Sequence, residues 1–257
     1  MPSALGHTTM MTPKEIALAR LRNQQIASTW FTGAEQVVSW LGAVQAQDYA
    51  GAQWSVGLRL PGSRAEDVDR AIAGRRIVHT WALRGTLHLV AAADVRWLLA
   101  LLAPRLIAGR ASRYRQLGLD EGDFSECEQV LERALEGGRR LSRQAVLSSL
   151  EAAGISTDGQ RGYHLLGRAA LDGVICFGPK EGRQQTFVLL DEWIPQSEPV
   201  ARETALGQLA LRYFASHGPA TLQDFAWWSG LTAADARSGI ATAGPDLHRE
   251  TAGDLVS

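Results

Sequence analysis

Twice along this chain the hydrophobic pattern switches from the period of a helix to that of a strand. Ile77–Leu83 and Thr86–Val90 are β-prone runs on either side of Arg84-Gly85, which reads as a tight hairpin. Val174-Ile175-Cys176-Phe177 and Gln184–Leu190 repeat the arrangement across a turn from Gly178 to Arg183. An isolated hairpin is barely stable in water, so each must pack on the helices that precede it. Helices followed by one small hairpin form the winged-helix pattern, a helix-turn-helix variant with a β wing.

The helices carry their own start signals. Thr12-Pro13 supplies a cap and a proline at the first helical position, with Ile16, Leu18, Ala19, Leu21 and Ile26 following. A second helix starts near Gly33 and carries Val37, Val38, Trp40 and Leu41, and a third covers Ala50 to Leu60, before Pro61-Gly62. Ser63-Arg64-Ala65-Glu66 has the capping-box spacing for a helix through Ala73. A helix from Ala92 to Ala108 and a basic stretch then lead to a second set, Ser125–Glu136, Ser142–Ala152 and Gln160–Leu171. After Pro195-Gln196-Ser197-Glu198-Pro199, helices around Leu206–Ser216, Thr221–Trp228 and Thr232–Ala243 begin a third set with no wing in sight.

No fixed residue period is measurable, yet the order of elements recurs, as in tandem modules. The expected fold is mainly α with small β-hairpins (α+β), built from tandem winged-helix domains. They are placed at 12–92, 124–193 and 200–257, the third incomplete, with a connecting helix and basic linker at 93–123.

Within the first set, Gln45-Ala46-Gln47 places two glutamines around one small apolar residue. In an extended segment that spacing points both amides to one side. Amides donate and accept hydrogen bonds but take no proton as a base, so the pair suits orienting a water molecule or a base edge. The plainer reading is an ordinary surface pair. Asp48 follows directly and faces the other way if the strand continues; it is a base if the backbone turns, and otherwise an N-cap for a Tyr49–Leu58 helix, the reading favoured here. Thr86, His88 and Val90 share one face of the second hairpin strand. Arg84, at the turn, is placed to reach phosphate or the minor groove. Trp30, Trp40, Trp54, Trp81 and Trp97 read mostly as core anchors, leaving one of them, or Tyr49, to stack on a base.

The overall charge of −1 conceals an asymmetry. Residues 1–119 hold fourteen basic and seven acidic side chains, a net +7, and the remainder holds twelve basic and twenty acidic, a net −8. A basic half suits a polyanion, and Arg105, Arg110, Arg113 and Arg115 are its phosphate-contact candidates. Dispersed, solvated arginines are the alternative. Cys127 and Cys176 form no CxxC or Cys/His cluster, which excludes a disulfide framework and a zinc ribbon and fits a reducing compartment. Met1 to Met11 does not read as a signal peptide, and the longest apolar run, Trp97 to Pro104, is too short to span a bilayer. A cytoplasmic monomer without a membrane partner is expected. His79, His164, His217 and His248 lack ligand spacing, and neither a Walker or dinucleotide fingerprint nor a Gly-x-Ser-x-Gly elbow is present, so no metal or cofactor is expected.

Four segments in order resemble the winged-helix family of AlkZ-like DNA glycosylases: Arg20-Leu21-Arg22-Asn23-Gln24, Val44-Gln45-Ala46-Gln47-Asp48, Trp81 through Leu89, and His217 through Leu231. The resemblance spans roughly residues 12 to 240. It implies tandem winged helices around double-stranded DNA and hydrolysis of the N-glycosidic bond of alkylated purines, bulky adducts and crosslinks included. It further implies a catalytic Gln-x-Gln at Gln45 and Gln47, with His88 near the lesion. A non-enzymatic DNA-binding regulator or lesion sensor is the alternative, and a scaffold binding no DNA a third reading. The chain departs from the family pattern in ending at Ser257, before a completed third unit.

Overall fold

The computed structural model describes residues 11–182, 184–247 and 255–256. Thr12 caps α1 (Pro13–Asn23): the Glu15 N–H donates to Thr12 Oγ1 at 3.3 Å, and the Glu15 carboxylate accepts from the Thr12 N–H at 2.7 Å. Then come α2 (Ala34–Leu41), β1 (Val44–Gln45), α3 (Tyr49–Gly57), α4 (Ala65–Ala73), β2 (Ile77–Trp81), a 3₁₀ turn at Leu83–Gly85 and β3 (Leu87–Ala91). A long helix, α5 (Val95–Gln116), leads to α6 (Glu121–Leu135), β4 (Leu141–Ser142), α7 (Arg143–Ala152), α8 (Arg161–Leu171), β5 (Ile175–Glu181), β6 (Gln184–Leu189) and the short α9 (Leu190–Trp193). The last stretch contains α10 (Arg202–His217), β7 (Ala220–Thr221), α11 (Leu222–Ser229), α12 (Ala233–Ala243) and β8 (Leu255–Val256). The order helix, short strand, helix, helix, hairpin occurs in both complete sets, and the third set begins the same way.

The two hairpins do not stand apart. All but the last two strands form one antiparallel sheet in the order β1-β3-β2-β5-β6-β4, with His79 of β2 opposite Phe177 of β5. One buried cluster on the first set joins Val37, Val38, Val56, Val68, Ile72 and Leu89. A larger one runs from Trp81 and Val90 through the apolar half of α5 into the second and third sets. Each fully buried aliphatic or aromatic side chain contributes about 1.5–3 kcal/mol, so these contacts dominate the weak local propensities.

Several local expectations change. The cap of α4 lies one residue later than the Ser63 spacing indicates. Asp67 accepts from the Arg64 N–H at 2.6 Å, and arginine, having no acceptor, supplies only half a capping box. The basic stretch is not a linker: α5 continues through Pro104 and carries all four arginines to Gln116. β5 runs on to Glu181 where a turn is expected, with a register irregularity between Gly178 and Glu181. The third set does gain a strand, because β8 pairs with β7. His248 and Arg183 lie outside the described residues. Among the described residues no helix is long and apolar enough to cross a membrane.

Candidate functional site

The chain between α2 and α3 is extended, and burial alternates along it. Val44 and Ala46 are buried, whereas Gln45 and Gln47 are exposed on the same side. Gln45 lies opposite His88 in the β1–β3 ladder, and the Ala46 N–H donates to Leu87 O at 2.8 Å. The Leu87 N–H donates to Gln47 Oε1 at 3.2 Å. A backbone N–H bonds only an acceptor, so this contact fixes the Gln47 amide with its carbonyl inward and its NH₂ outward. The Gln45 amide makes no hydrogen bond among the described residues and is free to bind at the surface.

His88 shares this face of the sheet with Thr80, and Thr86 Oγ1 donates to Leu83 O at 3.3 Å. The His88 ring is 3 % exposed, with Nδ1 2.9 Å from Thr86 O. A carbonyl only accepts, so Nδ1 carries the proton and Nε2 remains an acceptor. Burial above all, with the nearby Arg84 charge, lowers its pKa to about 4, so at neutral pH the ring is a neutral acceptor and not a phosphate-binding cation. The geometry ties this histidine to the backbone of its own strand.

Asp48 occupies the N-cap position of α3, but its side chain caps nothing. The carboxylate leans over Gly51, where a Cβ would stand 2.6 Å from Oδ2. The favoured cap role is therefore corrected: the backbone is in place, and the exposed carboxylate is not used.

Tyr49 is tied into the scaffold. Its hydroxyl donates to Asp69 Oδ1 at 2.5 Å, and Lys180 Nζ sits 4.0 Å from the ring centroid and 3.3 Å from Asp69. Burial and the Asp69 carboxylate push the phenol pKa up. Tyr49 also lies 5.4 Å from His79, which stacks at 4.5 Å on Phe177.

Arg84 adopts a left-handed conformation, φ 54°, and donates Nη1 to the Trp228 carbonyl at the end of α11. Its guanidinium carbon lies 5.2 Å from the Trp227 ring centroid. Arg110 Nη2 holds the other side of the same turn through Gly85 O at 2.6 Å. Arg105 Nε donates to Gly230 O at 3.1 Å, and Arg113 bonds Gln116 and Gln160. Arg115 is exposed and makes no hydrogen bond among the described residues. The candidate cations thus divide: Arg84 and Arg110 fix the turn, whereas Arg105 and Arg115 are exposed to solvent.

Trp81 and Trp97 are buried and Trp40 packs on the first-set core with its indole N–H donating to Asn23 O at 2.7 Å, so three of the first five are internal anchors as expected, whereas Trp30 and Trp54 face solvent. Trp30 packs edge-on against Trp40 at 5.4 Å, so only its inner edge is covered. Sequence reasoning passed over Trp227. The signal was present, because adjacent residues on a helix point about 100° apart, so with Phe225 and Trp228 turned inward a second large ring at 227 falls on the outer side of α11. Trp228 packs on Tyr213 and His217, and Trp227 is 71 % exposed.

Comparison with known proteins agrees with this architecture. A curated relative, the interstrand DNA cross-link repair glycosylase of Streptomyces sahachiroi, is 28 % identical over 228 residues, covering 85 % of this chain. This chain spans 60 % of that relative's length. The solved structure of the DNA glycosylase AlkZ of Streptomyces sahachiroi superposes with a TM-score of 0.80 at 24 % identity, over 96 % of this chain and 70 % of the other, a likeness of fold. The family described as DNA glycosylase AlkZ-like matches residues 38–252, which include the glutamine pair, the Arg84 turn and the α11–α12 corner. The chain belongs to the AlkZ-like DNA glycosylase family.

Proposed function

We propose that this chain hydrolyses the N-glycosidic bond of alkylated purines in duplex DNA, N7 or N3 adducts and bulky or cross-linking ones included, in repair or self-resistance. The observation that carries the reading is the exposed amide pair on β1, one amide locked and one free, beside a neutral histidine. Family membership and the cross-link repair activity named for the relative support it.

The chemistry follows from what the residues lack. A glycosidase normally needs one carboxylate as base or nucleophile and another as acid. A purine alkylated at N7 or N3 already carries positive charge and leaves as a neutral base, so no acid is required. The remaining tasks are to hold water below C1′ and to stabilise a cationic sugar. Gln45 Oε1 accepts a hydrogen bond from that water, the outward NH₂ of Gln47 donates to its oxygen, and the Gln47 dipole is fixed before reaction. His88 Nε2 is an additional acceptor toward the lesion. Thr86, Arg84, Asp48 and Tyr49 shape the approach around the pair, and the α5 arginines, Arg105 and Arg115 foremost, meet phosphate.

The same reading assigns the three sets as tandem winged helices at 12–92, 124–193 and 200–257. It is supported by the shared strand order: the short strand pairs with the second hairpin strand in β1-β3-β2 and again in β4-β6-β5.

Incubation with duplex carrying N7-methylguanine or N3-methyladenine tests the proposal through released base and abasic sites. Expected is excision that falls at least about tenfold in Gln45→Ala and Gln47→Ala, about 1.4 kcal/mol of transition-state stabilisation, with DNA binding retained. Salt-sensitive binding without base release across the adducts supports the regulator or sensor instead.

A further inference from the structure

The exposed indole of Trp227 stands beside a cationic cleft of about 660 Å³ between α5 and the α11–α12 corner. Arg84, Arg105, Arg110 and Arg202 line it, with Asp235 as their acidic neighbour, paired to Arg202 at 3.0 Å. A solvent-facing tryptophan leaves a large apolar surface unburied, and this one is held in place: Arg84 lies over the ring and bonds the carbonyls of the same helix end. One purpose of such an arrangement is stacking. Every nucleobase offers a π-face, and aromatic platforms beside cationic grooves are how proteins grip nucleotides without reading sequence.

The platform is near the glutamine pair. Arg84, whose guanidinium lies over the Trp227 ring, is three residues from Leu87, whose N–H holds Gln47, so one short stretch of chain links the platform to the pair. We infer that Trp227 and the arginine cleft form a second nucleotide subsite, in which Trp227 stacks on a nucleobase flanking the lesion and Arg105 contacts its phosphate. The inference rests on the DNA-substrate part of the function proposed above. Trp227 is a positioning residue here, because it holds the strand and does not touch the reacting bond.

The test measures affinity for duplex DNA containing a tetrahydrofuran abasic-site analogue, by anisotropy over a range of salt, for the full chain. Trp227→Ala is expected to bind about tenfold more weakly with an unchanged salt slope, within the range usual for removing one base-stacking aromatic. Trp227→Phe should bind within about threefold of the parent and lose part of the quenching of tryptophan emission by DNA. Arg105→Gln should reduce the salt slope by about one. An exposed indole leaves the fold intact when removed, and an unchanged circular dichroism melt verifies this.

Parent-like affinity in Trp227→Ala, or equal weakening in the Phe variant, overturns the subsite. Absence of DNA binding by the parent overturns both proposals. Base release that depends on Gln45 and Gln47 but ignores Trp227 in binding leaves the proposed function standing without the subsite. A Trp227-dependent affinity without base release does the reverse.

Discussion

Lowering the pH from 8 to 5 should remove a large part of this protein's stability, because three imidazoles are held neutral by the fold. Burial is the leading cause in each case, taking His79 to about 3, His88 to about 4 and His217 to about 4. In the unfolded chain each titrates near 6.5. The native pKa is the lower one, so the stability they contribute is full above pH 6.5 and is lost as the pH falls toward 4. At pH 5 an unfolded imidazole is almost fully protonated and the native ones hardly at all. The loss is then about 2 kcal/mol for each ring and about 6 kcal/mol together, against a usual total of about 5–15 kcal/mol. His164, moved in the same direction, adds to it. Urea unfolding at pH 8, 7, 6 and 5 measures the effect, with a slope near pH 5 of about 4 kcal/mol per pH unit, or nearly three protons taken up. His79→Phe should remove about one of those protons. An uptake below one proton between pH 6 and 5, or imidazole resonances titrating near 6.5, would refute the reasoning.

Gly239→Ala should lower the melting temperature, since a Cβ there meets the Leu206 carbonyl oxygen at 2.7 Å. The overpacking cost of about 1–3 kcal/mol exceeds the helix-propensity gain of about 1 kcal/mol. Asp94→Ala should cost about 3 kcal/mol in a denaturant titration, because the buried carboxylate accepts from Trp97 Nε1 at 3.0 Å and pairs with Arg212; Asp94→Asn should recover part of that loss. Gly51→Ala should raise stability by up to about 1 kcal/mol, the flexible Asp48 side chain swinging aside. Under the amide-pair mechanism its base release stays at the parent rate, and a large fall would assign Asp48 a part in the chemistry.

What the sequence revealed was local. The Thr12 cap, the Arg84-Gly85 turn and the outward alternation of Gln45 and Gln47 depend on neighbours a few residues apart, and each is found where the pattern indicates. What it concealed was distant pairing. Arg84 bonds a carbonyl 144 positions away, and Tyr49 meets Lys180 of the second hairpin; neither partner leaves a mark on its own segment. Two-residue strands such as β1 and β4 are too short for a period of two to register at all. The Asp48 cap shows the limit of type preferences, for aspartate in the right backbone position still left its carboxylate unused.

The way the six-stranded sheet begins and ends bears on how the chain avoids sticking to itself. Its outer strands, β1 and β4, are two residues each, while the five-residue β2 and seven-residue β5 face one another in the middle. Long open edges recruit other chains by strand addition, and short ones give them little to hold. Separating the two repeats would bare β2 on one fragment and β5 on the other, two hydrophobic ribbons already shaped for a partner. Each half alone is then an aggregation hazard, and the intact sheet protects itself by joining its two most adhesive edges to each other.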